Sequence, residues 1–284
     1  MKLPRLVVSA ACAATVSAAM VGTATSASAA TVNYVALGDS YSSGTGTGSY
    51  DLDSTCQRSS RAYPAKWAAA HSPSSFKFAA CSGAKTTDVL NNQLGSLSSS
   101  TSLVSITIGG NDAGFSSVMQ TCVLGSDSDC TTAVNNAKNY ADTQLPGRLS
   151  TLFSAIESKA PNAHVVVLDY PHLYITNDSF CVGMSHTKHA ALNSGADEID
   201  TVISKGAANA GFTFADVRSK FAGHELCSGD GWLNSVTIPI GNSYHPTATG
   251  HASGYLPVFT ATAPALTAAK AAKAAKAAKA SKKS

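Results

Sequence analysis

The chain has 284 residues, 44% hydrophobic and 13% charged, with a formal net charge of +3. That length can bury one substantial core in a single domain. Two basic residues precede Leu6 and six follow Thr267, leaving 12 basic against 17 acidic residues, a mildly acidic globule without the electrostatic footprint of a nucleic-acid binder.

The first element is a processing signal. Lys2 and Arg5 open it, an alanine-rich apolar stretch runs from Leu6 to Gly22, and Ala27-Ser28-Ala29 supplies small residues for cleavage. Residues 1–29 therefore read as a signal peptide of an exported chain, too short and alanine-rich for an anchor. A domain over 30–266 follows, and then an Ala/Lys-rich low-complexity tail over 267–284. The tail's lysines recur every third residue, so on a helix they wind around the surface and form no single stripe. It reads as a mobile basic appendage suited to weak contact with polyanions or a cell surface.

Within the domain, strand and helix patterns alternate. Strands are expected at 32–37, 76–80, 103–108, 164–168 and 212–217, as nearly continuous apolar runs. Helices are expected at 64–71, 87–94, 131–160 and 188–210, with a last one opening at Pro246 as its first residue. This order predicts an α/β fold, a three-layer α/β/α sandwich around a five-stranded parallel doubly wound sheet of the flavodoxin-like kind. Cys12 is lost with the signal. The remaining Cys56, Cys81, Cys122, Cys130, Cys181 and Cys227 imply disulfides in an exported chain, with sequential pairing as the expectation. No C-x-x-C pair seeds a zinc site.

Two polar, glycine-flanked motifs sit at strand ends. The first strand stops at Gly38-Asp39-Ser40, before a glycine-rich loop, and the third runs into Gly109-Gly110-Asn111-Asp112. Ser40 is the candidate nucleophile, standing where doubly wound sheets bind ligands. No G-x-S-x-G elbow is present. Among eight histidines after the signal, His245 is the candidate base, because the following proline gives it a rigid mount. His251 reads as a helix-surface residue. His186 and His189 form an H-x-x-H pair, but no third ligand is evident, so the reading is of no metal.

These motifs resemble the SGNH hydrolases, or GDSL-type esterases and lipases. The family's four ordered blocks match Gly38-Asp39-Ser40, Gly83, Gly109-Gly110-Asn111-Asp112 and His245, and the leader and six cysteines are similar to the secreted bacterial lipase and phospholipase branch. The resemblance implies that Ser40 attacks an acyl carbonyl, that His245 is its base, and that the N–H groups of Ser40 and Gly83 with the Asn111 amide form an oxyanion hole. It implies no cofactor. Many members carry an aspartate three residues before the histidine, where this chain has Asn242, so a Ser40–His245 dyad oriented by the Ser243 carbonyl is expected. Asp39 and Asp112 read as structural braces.

The substrate implied is a lipid or other fatty-acyl ester, cleaved by a monomer. The loops over 44–61 and 170–188 are expected to build the crevice, with Pro171, Leu173, Tyr174, Ile175 and Phe180 as acyl contacts. A carbohydrate-ester deacetylase is the rival of the same chemistry. A non-catalytic exported binding protein and a metal hydrolase are rivals of other classes.

Overall fold

The computed structural model describes residues 32–176, 181 and 183–263. The expected signal, the Lys-rich tail and Phe180 lie outside the described residues. Five parallel strands form one sheet: β1 (Asn33–Gly38), β2 (Ser75–Phe78), β3 (Leu103–Thr107), β4 (His164–Leu168) and β5 (Thr213–Ala215), in the order β2-β1-β3-β4-β5. The chain reverses its lateral direction between β1 and β3, the switch point where such sheets open a crevice at their carboxyl edge.

Helices cover both faces. On one, α2 (Tyr63–His71) packs against α9 (Leu256–Thr262) and the π-helix leading into it (Gly250–Tyr255). There the Tyr34 ring of β1 stacks on Phe259 at 5.5 Å and meets Trp67 edge-on at 5.2 Å. The other face carries α3 (Thr86–Asp88), α4 (Phe115–Leu124), α5 (Asp127–Thr143), α6 (Leu145–Lys159) and α7 (His186–Asn209). Leu149, Phe153 and Ile156 of α6 and Ile203 of α7 are fully buried there. β1, β3 and β4 are buried almost throughout, which is why their sequences read as apolar runs.

The alternation, the sheet and its parallel direction are those the sequence predicts. Element bounds differ in informative places. The expected helix over 131–160 is two helices: α5 begins earlier, at a Ser126–Asp129 capping box, and Pro146 restarts the chain as α6 because it lacks an N–H to continue the ladder. The segment expected as a helix over 87–94 is a short α-turn that widens into a π-helix over Val89–Gln93. Three helices were not anticipated, α4 and the short α1 (Ser40–Ser43) and α8 (Arg218–Phe221). Pro246 does not open the last helix. It bridges to Leu233, and helical turns start at residue 248, where the Thr247 hydroxyl accepts the Gly250 N–H at 3.1 Å.

The π-helix has a consequence for β1. It carries buried Gln93 to the end of that strand, where its side-chain oxygen accepts the Gly38 N–H and its amide donates to the Gly38 carbonyl, both at 2.8 Å. This two-point clamp fixes the chain two residues before Ser40. Gln93→Leu strands the buried Gly38 N–H, at a cost of about 1–3 kcal/mol, whereas the Gly38 carbonyl keeps the Cys81 N–H at 3.0 Å. Urea denaturation is expected to show a loss of about 1–3 kcal/mol, with fold and disulfides otherwise intact.

Candidate active site

After Gly38 the chain turns into a single helical turn, α1 (Ser40–Ser43). Asp39 is buried and braces it. One carboxylate oxygen accepts the Tyr41 N–H at 3.0 Å and the Thr107 hydroxyl at 2.7 Å, and the other takes a short hydrogen bond from the Tyr170 hydroxyl. The Tyr170 oxygen accepts the Gly110 N–H at 3.1 Å, so one side chain joins the exits of β1 and β3. Burial pushes the Asp39 carboxyl up to about 6, against the pull of these hydrogen bonds. Behind Tyr170, buried Asp200 accepts its backbone N–H at 3.2 Å, and Asp169 accepts that of Val217 at 2.7 Å. Burial raises the pKa of both carboxyls.

The fourth block reaches the same place from the far end of the chain. Asn234 holds its backbone: its N–H donates to the His245 carbonyl at 2.9 Å, and its side-chain amide donates to the carbonyls of Gly46 and His245 at 2.9 and 3.0 Å. This answers for the glycine-rich loop after Ser40. Gly46 lies in the left-handed region, φ +91°, and a Cβ there would come within 2.8 Å of both the His245 Cβ and the Pro246 carbonyl oxygen. Tyr244 also has positive φ, +63°, and its carbonyl accepts the Tyr41 hydroxyl at 2.6 Å. The residue after the candidate nucleophile thus pins the residue before the candidate base.

The His245 Nε2 lies 2.8 Å from Ser40 Oγ, and its Nδ1 lies 2.9 Å from the Ser243 carbonyl oxygen. A carbonyl only accepts, so the proton sits on Nδ1 and the Nε2 lone pair faces the hydroxyl. Asn242 faces elsewhere: its side-chain oxygen accepts the Tyr50 hydroxyl. Burial lowers the His245 pKa to about 4, against the raising effect of the Ser243 carbonyl. The ring is flanked by those of Tyr41 and Phe115, at 5.2 and 6.0 Å between centroids.

Asn111 borders the cavity beside Ser40, and its side-chain amide donates to the Ala84 carbonyl at 3.1 Å. Asp112 accepts the backbone N–H and the hydroxyl of Thr86, at 2.9 and 2.6 Å, tying the third block to the second. Gly83 is exposed in the loop between them. A Cβ there would meet nothing within 4 Å, so close approach within the protein does not explain this glycine, whereas its φ of +81° does. The cysteines pair 56–81, 122–130 and 181–227. The first bridge stands two residues from Gly83, and the Ser82 N–H donates to the Cys56 carbonyl at 3.0 Å.

An apolar cavity opens from Ser40 and Asn111, walled by Phe115, Val118, Val134, Leu173, Leu192 and Ile199. Most of this wall comes from α4, α5 and α7 and not from the loops expected to form it. Of the expected acyl contacts, Pro171 and Leu173 line the cavity, whereas Tyr174 stacks on His189 at 3.9 Å. Val134, Leu192 and Ile199 were missed, although each lies on a helix the sequence did indicate. The α4 residues Phe115 and Val118 had no such signal, because the helix follows a glycine without a capping side chain. His251 is fully buried, contrary to expectation: its Nδ1 accepts the Tyr63 N–H at 3.3 Å. Among the described residues, no group of three or more His, Cys, Asp or Glu side chains is placed to hold a metal.

In the folded chain His245 binds fewer protons than an unfolded histidine between pH 6.5 and about 4. Its contribution to stability therefore falls as pH drops through that window. Nitrogen-15 NMR is expected to show the Nδ1–H tautomer at pH 6 and a titration midpoint near 4.

Comparison with known proteins places this geometry. Residues 36–253 match the model of the GDSL-like lipase/acylhydrolase family. Lipase 1 of Streptomyces coelicolor is 57% identical over 251 residues, covering 87% of this chain and 93% of that protein. The crystal structure of phospholipase A1 from Streptomyces albidoflavus NA297 aligns with TM-score 0.80 at 55% identity, over 82% of this chain and all of that one. The extracellular lipase of Streptomyces rimosus aligns with TM-score 0.80 at 54% identity, over 81% and 99%. A serine and histidine hydrogen-bonded at the switch point of a 2-1-3-4-5 sheet, with matching sequence over most of the chain, make this protein a member of the GDSL-like lipase/acylhydrolase family of carboxylic ester hydrolases.

Proposed function

We propose that the protein is an exported lipase or phospholipase A that cleaves fatty-acyl esters through an acyl-enzyme, with Ser40 as nucleophile and His245 as base. The observation that carries this reading is the 2.8 Å contact between Ser40 Oγ and a neutral His245 Nε2, opening onto an apolar cavity. As Ser40 Oγ attacks the acyl carbonyl, Nε2 takes its proton. The carbonyl oxygen becomes an oxyanion, received by the N–H groups of Ser40 and Gly83 and by the second N–H of the Asn111 amide. The intermediate then collapses, and His245 returns the proton to the departing alcohol. Water repeats the sequence against the acyl-serine and releases the fatty acid.

No carboxylate steadies the imidazolium in this scheme. The Ser243 carbonyl accepts the Nδ1 proton throughout, supplying a dipole in place of a charge. The low pKa of His245 keeps the base neutral and ready over most of the pH range. Apolar walls favour a fatty-acyl chain over the acetyl group of a sugar ester. The matching leader over 1–29, the three disulfides and the name of the Streptomyces rimosus relative support export. The tail over 267–284 serves as a weak contact for anionic surfaces.

Ser40→Ala and His245→Ala are expected to abolish hydrolysis of p-nitrophenyl esters and labelling by an organophosphonate, whereas Asn242→Ala keeps most activity. Equal collapse of all three variants in folded protein would remove the main-chain orienter. Asn111→Ala is expected to lower kcat by about 10²–10³ with little change in KM, the usual cost of one oxyanion donor. A chain-length series should rise from acetate toward longer acyl groups. A maximum at acetate would favour the deacetylase.

A further inference from the structure

Only five large hydrophobic residues stand well exposed among the described residues, and three lie in one five-residue loop: Val236 at 54%, Ile238 at 95% and Ile240 at 71%. Single exposed aliphatics are ordinary, but three together in a loop hydrogen-bonded to Ser243, whose carbonyl faces the His245 ring, are not. The loop does not expose them through slackness. The Thr237 N–H donates to Ser243 Oγ at 2.9 Å, the Asn242 N–H to the Pro239 carbonyl at 2.9 Å, and the Ser243 N–H to the Ile240 carbonyl at 3.1 Å. The Tyr244 N–H closes the base on the Asn234 carbonyl at 2.8 Å. A preformed loop thus presents isoleucines to solvent seven and five residues before the oriented His245.

Charge points to what covers them. No Asp, Glu, Lys or Arg occurs between Asp230 and Lys270, so the loop and its flanks offer nothing to an ionic partner. A fourth exposed aliphatic, Leu52 at 52%, sits between Asp51 and Asp53 on the loop that Tyr50 ties to Asn242, so the uncharged surface is that of the 236–240 loop itself. An uncharged aliphatic tip beside a site that takes acyl chains fits the hydrocarbon edge of a lipid layer. Burying such side chains in that layer is favourable, and a braced loop loses little freedom in doing so.

We propose that the 236–240 loop is a docking element that inserts into the surface of uncharged, aggregated lipid and holds the mouth of the site against it. This rests on the fatty-acyl reading above and adds to it where the substrate is met. The test uses the full chain carrying Ser40→Ala, which leaves vesicles intact, with and without Ile238→Ser and Ile240→Ser. In flotation with phosphatidylcholine vesicles, the double substitution is expected to weaken partitioning at least tenfold, and 0.5 M salt to leave the parent's partitioning unchanged. In the active chain the same pair should cut fatty-acid release from those vesicles by a similar factor, while kcat/KM on a soluble short-chain ester and the Tm stay as they were.

Equal partitioning of parent and variant overturns the proposal. So does failure of the parent to bind, or binding that needs anionic lipid and vanishes in salt, which would assign the contact to the Lys-rich tail. Loss of self-association in the variant with vesicle binding unchanged also overturns it, in favour of a second copy as occupant. A chain that binds vesicles through the loop yet releases fatty acid from none of them refutes the fatty-acyl reading and leaves docking standing.

Discussion

The site depends on one hydrogen bond of 2.8 Å between groups 205 residues apart, Ser40 Oγ and His245 Nε2. A span of that length has no local means of closing, so both ends must be fixed separately and then to each other. The serine end is held by backbone clamps from Gln93 and by the capping carboxylate of Asp39. The histidine end is held by Asn234, which binds its backbone to that of Gly46. The Tyr41 hydroxyl on the Tyr244 carbonyl then joins the two ends directly, and it comes from the residue next to the serine. The parallel sheet makes this economical, since β1 and β3 release their polar motifs at the same edge.

The electrostatics follow from burial. His245 and Ser40 are 8% and 5% exposed, so charge on the ring is costly and the imidazole stays neutral far below its usual pKa. A carboxylate in the orienting position would have raised that pKa and would itself need desolvation. The carbonyl fixes the tautomer with an upward pull that burial outweighs, and it brings no charge of its own to desolvate. Asp39, the acid nearest the serine in sequence, is engaged with Thr107, Tyr41 and Tyr170, and so braces the turn instead of facing the ring.

The sheet was legible in the sequence because strands buried on both faces leave apolar runs that no surface element imitates; for β4 the bounds coincide. The polar motifs were legible because glycine and acid at a strand end are local signals. What escaped was set by tertiary contact. Helix α4 follows a glycine with no capping side chain to announce it. Gln93 sits in a widened helical turn that has no sequence signature and earns its place only by reaching Gly38. His251 looked like a surface position, yet the stacking of α2 on the last helices buries it. The cavity wall escaped for a related reason: its residues come from several helices whose relative placement no local pattern records.

The contact at Nδ1 is made by main chain, and that changes what variation at this place can reveal. Truncating the Ser243 side chain removes its contact with the Thr237 N–H but not the carbonyl oxygen, so side-chain truncation does not delete the group touching the ring. What governs that oxygen is the path of the peptide, above all the left-handed turn at Tyr244 immediately after it. What steadies the imidazole at this position is therefore a curve in the backbone and not the identity of a side chain.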